Sequence, residues 1–204
     1  MKQIDWTIVK KQSLARAARE AGYDLAMFED YPQAVKESLR YHAIKNALWN
    51  LRNDFEVETD RELWKVSQGV YVICLSEPFT IEYGNGCSNV IYIGRGKISI
   101  RLENHFKNSL FDVMMSLAGA DFDFYLSEPS DKNEEGYFKQ LEHDLLANFR
   151  EKIGDGAYPL LNKYAGSNPG LKLGAGWNLP LKTSGKRPTW AIKPTGKRPI
   201  LKLD

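Results

Sequence analysis

Between residues 71 and 162 the chain carries side chains suited to handling a phosphate ester. Arg101 and His105 are four residues apart in a stretch that reads as helix. Both therefore project from one face and can address a single phosphate group. Arginine brings a planar fork of donors that stays charged at every working pH, as the charge building on a phosphorane-like transition state requires. His105 can donate to the same phosphate or to the leaving oxygen. Among the acids, Glu142 lies within Leu141-Glu142-His143-Asp144-Leu145-Leu146, at the edge of an apolar stripe, with Glu134, Glu135 and Glu151 as alternatives nearby. Magnesium keeps most of its waters and is held by one or two carboxylates plus substrate oxygens, so one glutamate suffices and predicts weak metal affinity without substrate. Tyr71 and Tyr92 each sit in a β-branched run. A free phenol titrates near pH ~10, so using one as a base at neutral pH costs roughly 4 kcal/mol unless cations lower that value. The metal itself, Lys97 and His105 are the candidates, and a metal-bound hydroxide would spare Tyr71 the full burden. Taken singly, each group has a plainer reading: a surface cation, a half-buried histidine, a solvated helix acid, aromatics packing a sheet.

The elements that must position these groups are readable in outline. Residues 7–21 mix Ala and Leu with Lys10, Lys11, Arg16 and Arg19 before Gly22, which predicts a short amphipathic helix. A second helix is predicted from Pro32 through Val35, Leu39, Ile44, Leu48 and Leu51 to about Asn53, with a brief helical piece at Arg61 to Val66. Val70-Tyr71-Val72-Ile73-Cys74-Leu75 and Val90-Ile91-Tyr92-Ile93 predict two strands pairing as an antiparallel hairpin across a turn-rich connection. A helix over 98–110, a strand through Phe122, Phe124 and Leu126, and a helix from Asn133 to about Lys152 follow, before Gly154-Asp155-Gly156.

This order of parts resembles the GIY-YIG nuclease family. Gly69-Val70-Tyr71 resembles its first signature tripeptide with Val in place of Ile, and Tyr92-Ile93-Gly94 its second. Arg101, His105, Glu142 and Asn162 in Pro159-Leu160-Leu161-Asn162 follow in order. The resemblance covers roughly residues 69 to 163. It implies an α+β fold with a small three-stranded antiparallel sheet flanked by helices as the nuclease core (residues 67–163). A helical extension (1–66) would precede that core and a basic extension (164–204) follow it. It also implies roles: Tyr71 activates or positions the water, Tyr92 hydrogen-bonds within the site, and Glu142 holds Mg²⁺, with Mn²⁺ able to substitute. Asn162 would contact the phosphate or orient the first tyrosine, with Asn168 as its rival. The long intervals between Tyr71 and Tyr92 and between Glu142 and Asn162 contain Gly-rich turn material and read as surface insertions.

Composition bounds the setting. The chain has 204 residues, 43% hydrophobic, enough to bury a core, and its net charge is only +2. The segment from Lys163 to Asp204 nevertheless holds nine Lys or Arg against one Asp. That asymmetry points to a polyanion. Lys97, Lys163, Lys186, Arg187, Lys197 and Arg198 are the cations expected to meet phosphates, while Trp177 and Trp190 either stack on bases or pack. The expected partner is DNA, double-stranded by preference, and a homodimer is one way for one-strand sites to cut both strands. Two cysteines, no signal-like start and no apolar run of membrane length predict a cytoplasmic protein without a membrane partner. Organisation around one core resembles the restriction endonucleases of this family. The alternatives are a non-catalytic nucleic-acid-binding module on the same fold, an RNA-directed nuclease, or an interaction protein whose residues 1–66 dock a partner helix.

Overall fold

A computed structural model of the chain describes residues 3–117, 119–128, 135–182 and 191–192. It is an α+β structure built on an antiparallel sheet of four strands in the order β1-β6-β2-β5. The strands are β1 (Thr7–Gln12), β2 (Gly69–Leu75), β5 (Val90–Gly96) and β6 (Phe122–Ser127). A separate two-stranded hairpin, β3 (Ile81–Tyr83) and β4 (Gly86–Ser88), fills the connection between β2 and β5. The helices are α1 (Leu14–Glu20), α2 (Gln33–Thr59), α3 (Ile98–His105), α4 (Phe111–Ser116) and α5 (Glu135–Lys152). A single π-helical turn, Phe106–Leu110, joins α3 to α4.

The expected three-stranded sheet is therefore corrected to four strands, and the fourth comes from the segment read as the first helix. Thr7-Ile8-Val9 is β-branched and pairs with Leu126, Tyr125 and Phe124 of β6. A register shift follows at Lys10 and Lys11, where Lys11 takes a φ of 53°. The helix proper starts only after Ser13, whose Oγ accepts the Arg16 N–H at 3.1 Å as an N-cap. The second helix starts as expected after Pro32 but runs six residues past Asn53, to Thr59, where Asp60 caps it in the left-handed conformation. At 61–66 there is one 3₁₀ turn, Leu63–Lys65.

Strand β2 is central and all seven of its residues are buried. Its alternation divides two cores across the sheet. Tyr71, Ile73 and Leu75 pack with α1, α2, α3 and α4, whereas Val70, Val72 and Cys74 pack against Leu141, Leu145 and Phe149 of α5. The N-terminal helices thus share a core with the sheet. After α5 the chain runs along β5 and then returns to the N-terminus, where the Ile4 N–H donates to the Ala175 carbonyl at 2.8 Å and Trp6 Nε1 to Gly176 at 3.1 Å. Trp177 packs against the α5 core. Among the described residues no helix is long and apolar enough to cross a membrane. Both cysteines are free thiols.

Candidate active site

The expected hairpin of β2 and β5 sets Tyr71 opposite Gly94 and Ile73 opposite Tyr92. Directly opposed residues face the same side of a sheet, so the two phenols share the face covered by α3. Their rings stack with centroids 5.8 Å apart. Gly94 is required between them: a Cβ there would lie 2.5 Å from Tyr92 Cε1 and 2.9 Å from the Tyr71 hydroxyl. From α3, His105 reaches both rings, its own ring centroid 4.1 Å from that of Tyr92 and its Nε2 hydrogen-bonded to the Tyr71 hydroxyl at 3.0 Å. Arg101, one turn earlier, is exposed, and its Nε donates a long bond (3.4 Å) to the Arg95 carbonyl.

Glu142 comes from α5. Leu141 and Leu145 bury the helix on the sheet and leave the carboxylate at the rim, 17% exposed. Its Oε2 accepts from Arg95 Nε at 2.8 Å. The chain then passes over this point at Gly166, whose carbonyl lies 3.0 Å from His143 Nδ1. A Cβ on Gly166 would come within 3.0 Å of the His143 backbone and 3.4 Å of Glu142 Oε2, so only glycine fits this crossing without displacing its neighbours.

Charge ties these groups together. Burial pushes the Tyr71 phenol well above its usual range; the Tyr92 phenol and the Glu142 carboxylate push the same way, and Arg101 pulls back. Tyr92 is also raised, chiefly by burial, with Arg101 opposing. Burial, reinforced by Arg101, pulls His105 down to about 4, so the imidazole is neutral at pH 7. Burial raises Glu142 as well, against the pull of Arg95 first and then of Arg101 and His143.

The structure thus gathers Tyr71, Tyr92 and His105 in direct contact, with Arg101 and Glu142 close enough to shift them. Asn162 is placed differently. Its Oδ1 accepts from the Ile93 N–H at 2.9 Å and its Nδ2 donates to the Ile93 carbonyl at 2.8 Å, so the buried amide clamps the free edge of β5. Lys97 precedes α3 and Lys163 follows Asn162; both are exposed. Lys186, Arg187, Trp190, Lys197 and Arg198 lie outside the described residues, as do Glu134 and the side chain of Glu135. Glu151 is exposed near the far end of α5, and Asn168 only caps its own turn, accepting the Gly170 N–H at 2.9 Å.

Arg95 is the residue that sequence reasoning missed. Its signal was alternation: three positions after Tyr92, it falls on the opposite face, the one that α5 covers. A magnesium site fits this acid in one respect and meets competition in another. The Arg95 bond engages Oε2 and leaves Oε1 for a hydrated cation, but a guanidinium already neutralises the charge. Among the described residues no group of three or more His, Cys, Asp or Glu side chains is gathered to hold a metal by itself. No protein-family model matches the chain, and neither a curated protein nor a solved structure matches it.

Proposed function

We propose that the chain is a metal-dependent endonuclease of the GIY-YIG type that hydrolyses phosphodiester bonds in DNA. One observation carries the reading: Tyr71, Tyr92 and His105 are in mutual contact beside Gly94, under the electrostatic influence of Arg101 and Glu142. These residues come from two strands and two helices. Packing accounts for the rings, since Tyr71 lies in the core of that face, but not for a guanidinium and a carboxylate near enough to shift them.

The charge states suggest how the work is divided. Tyr71 stays protonated at neutral pH, so it is a poor base alone. It is bonded to a neutral imidazole. With the His105 proton on Nδ1, Nε2 accepts the Tyr71 proton while the phenol oxygen takes one from water. The hydroxide so formed attacks phosphorus as the bond to the leaving oxygen breaks; that oxygen takes a proton from solvent, and His105 releases its own to solvent, which restores the neutral imidazole. Arg101, exposed and one helical turn from His105, supplies charge to the phosphoryl oxygens as the negative charge spreads. Tyr92 fixes the ring positions through its contacts with both partners. Asn162 holds the strand that carries Tyr92. Glu142 would hold Mg²⁺ through its carboxylate, and the ion, when bound, neutralises phosphate charge.

Incubation with supercoiled plasmid and Mg²⁺ tests the reading. Cleavage that disappears with chelator and falls at least roughly a hundredfold in Glu142→Gln supports it. Binding without metal-dependent cutting would instead favour a non-catalytic nucleic-acid module, and cutting confined to RNA would redirect the substrate. Discrete fragments would place the chain with restriction endonucleases, whereas a smear would not.

A further inference from the structure

The outer face of α2 carries side chains that neither the core nor the site uses. Trp49 is 64% exposed and Tyr41 61%, on a helix whose inner face is buried through Leu39, Ile44, Leu51 and Phe55. Lys45, Arg52 and Glu56 are exposed around Trp49. At about 100° per residue, positions 45, 49, 52 and 56 fall within roughly a 60° arc, a single stripe. No hydrogen bond, ion pair or ring contact joins any of these four side chains to another described residue.

The charge pattern selects the occupant. Helix α2 carries Lys36, Arg40, Lys45 and Arg52 against Glu37, Asp54, Glu56 and Glu58, so it is neutral as a whole. A nucleic acid selects cations without interspersed acids. The order here, cation, indole, cation, acid, complements itself when a second copy runs antiparallel about a two-fold axis level with Asn50 and Leu51. Lys45 then faces Glu56 of the second copy, Trp49 faces Arg52, and Tyr41 falls level with Asp60 at the helix end. Each contact occurs twice, as a two-fold interface requires. A guanidinium over an indole is a favourable pair. Within one helix the competing Arg52 to Glu56 pairing has the cation N-terminal to the acid, the weaker order.

We propose that this face of α2 is a homodimer interface, with Trp49 and Arg52 at its centre and Lys45 and Glu56 at its rim. The interface is independent of the proposed activity. Sedimentation equilibrium of the full chain from low to high micromolar concentration tests it. The wild type shows a monomer–dimer equilibrium, and Trp49→Ala weakens it at least roughly tenfold. Lys45→Glu weakens it about tenfold, and combining it with Glu56→Lys returns the dissociation constant to within about threefold of wild type. All of these positions are exposed, so thermal melts of the variants match the wild type at a concentration where every protein is monomeric. A wild type that stays monomeric overturns the proposal, as does a dimer indifferent to Trp49→Ala and to charge reversal. So too does a monomer whose duplex affinity drops when Lys45 and Arg52 are replaced, which would give the face to nucleic acid.

Discussion

His105 is the residue whose charge state most directly reports its own burial against Tyr71 and Tyr92. Its value of about 4 lies below the usual 6.5, so between those limits the unfolded chain binds more protons than the folded one. Stability therefore rises with pH through this window and is lost as pH falls from about 6.5 to 4. The loss attributable to this group approaches roughly 2 to 3 kcal/mol at the acid end. Glu142 is shifted upward and titrates in the opposite sense, but it does so in both proteins when His105→Gln is compared with wild type. Urea denaturation across this range should show a steeper acid loss in the wild type than in His105→Gln; parallel curves would mean that the imidazole is not held neutral. Arg95 leads to a second expectation at the same scale. It is the resident counter-ion of Glu142, and a divalent ion approaching that carboxylate meets a positive charge 2.8 Å away from it. In Arg95→Met, without DNA and at pH 8 to keep the acid ionised, Mn²⁺ binding followed by electron paramagnetic resonance should tighten by roughly tenfold, about 1.4 kcal/mol. Unchanged affinity would show that the guanidinium does not compete with the metal.

Strand β5 must stay registered on β2 for the tyrosines to meet, and its outer edge is held by a side chain instead of another strand. Asn162 satisfies both backbone groups of Ile93, and the Leu161 N–H donates to the Ile91 carbonyl at 2.8 Å. Asn162→Leu leaves a buried donor and acceptor unmet, which should cost roughly 2 to 4 kcal/mol. Hydrogen exchange of the Ile93 amide is the direct readout: protection should collapse in the variant, and retained protection would contradict the clamp. This clamp also marks where local reasoning stopped. The paired strands, α5 and its edge acid were readable because their periodicity is set by burial on one side. Strand β1 was not, because Thr7-Ile8-Val9 is short, Lys10 and Lys11 follow it, and its pairing partner lies more than a hundred residues away. Helix-favouring Ala and Arg at 15–19 dominated the window. The role of Asn162 was hidden for a related reason, since an asparagine after an apolar pair looks the same whether it meets a phosphate or a strand edge. Arg95 was overlooked because a cation beside two glycines reads as a loop, and only the register with β2 shows that it points at α5.

At the level of the whole molecule, the N-terminal helices contribute to the core on one face of the sheet while α5 covers the other. Tyr71, Tyr92 and His105 lie on the first of these faces, and Arg95 and Glu142 on the second, with Glu142 near enough to raise both phenols. The positive charge gathers after Asn162, in a stretch that includes exposed Lys163, Lys172 and Lys182. If all nine cations of that region met phosphates, log affinity would fall against log salt with a slope of about −8 as an upper bound. If both the nuclease reading and the α2 interface hold, Trp49→Ala should convert double-strand breaks to nicks at limiting protein, visible as open-circular plasmid accumulating before linear. In the proposed reaction, groups far apart in the chain act as one unit at one phosphate. Single-turnover cleavage by Tyr71→Phe, Glu142→Gln and the double variant measures this most directly. Each single change should slow the reaction at least about a hundredfold, and the pair should be hardly slower than the worse of the two. A Glu142→Gln enzyme cutting at the wild-type rate, or losses that multiply in the double variant, would contradict it.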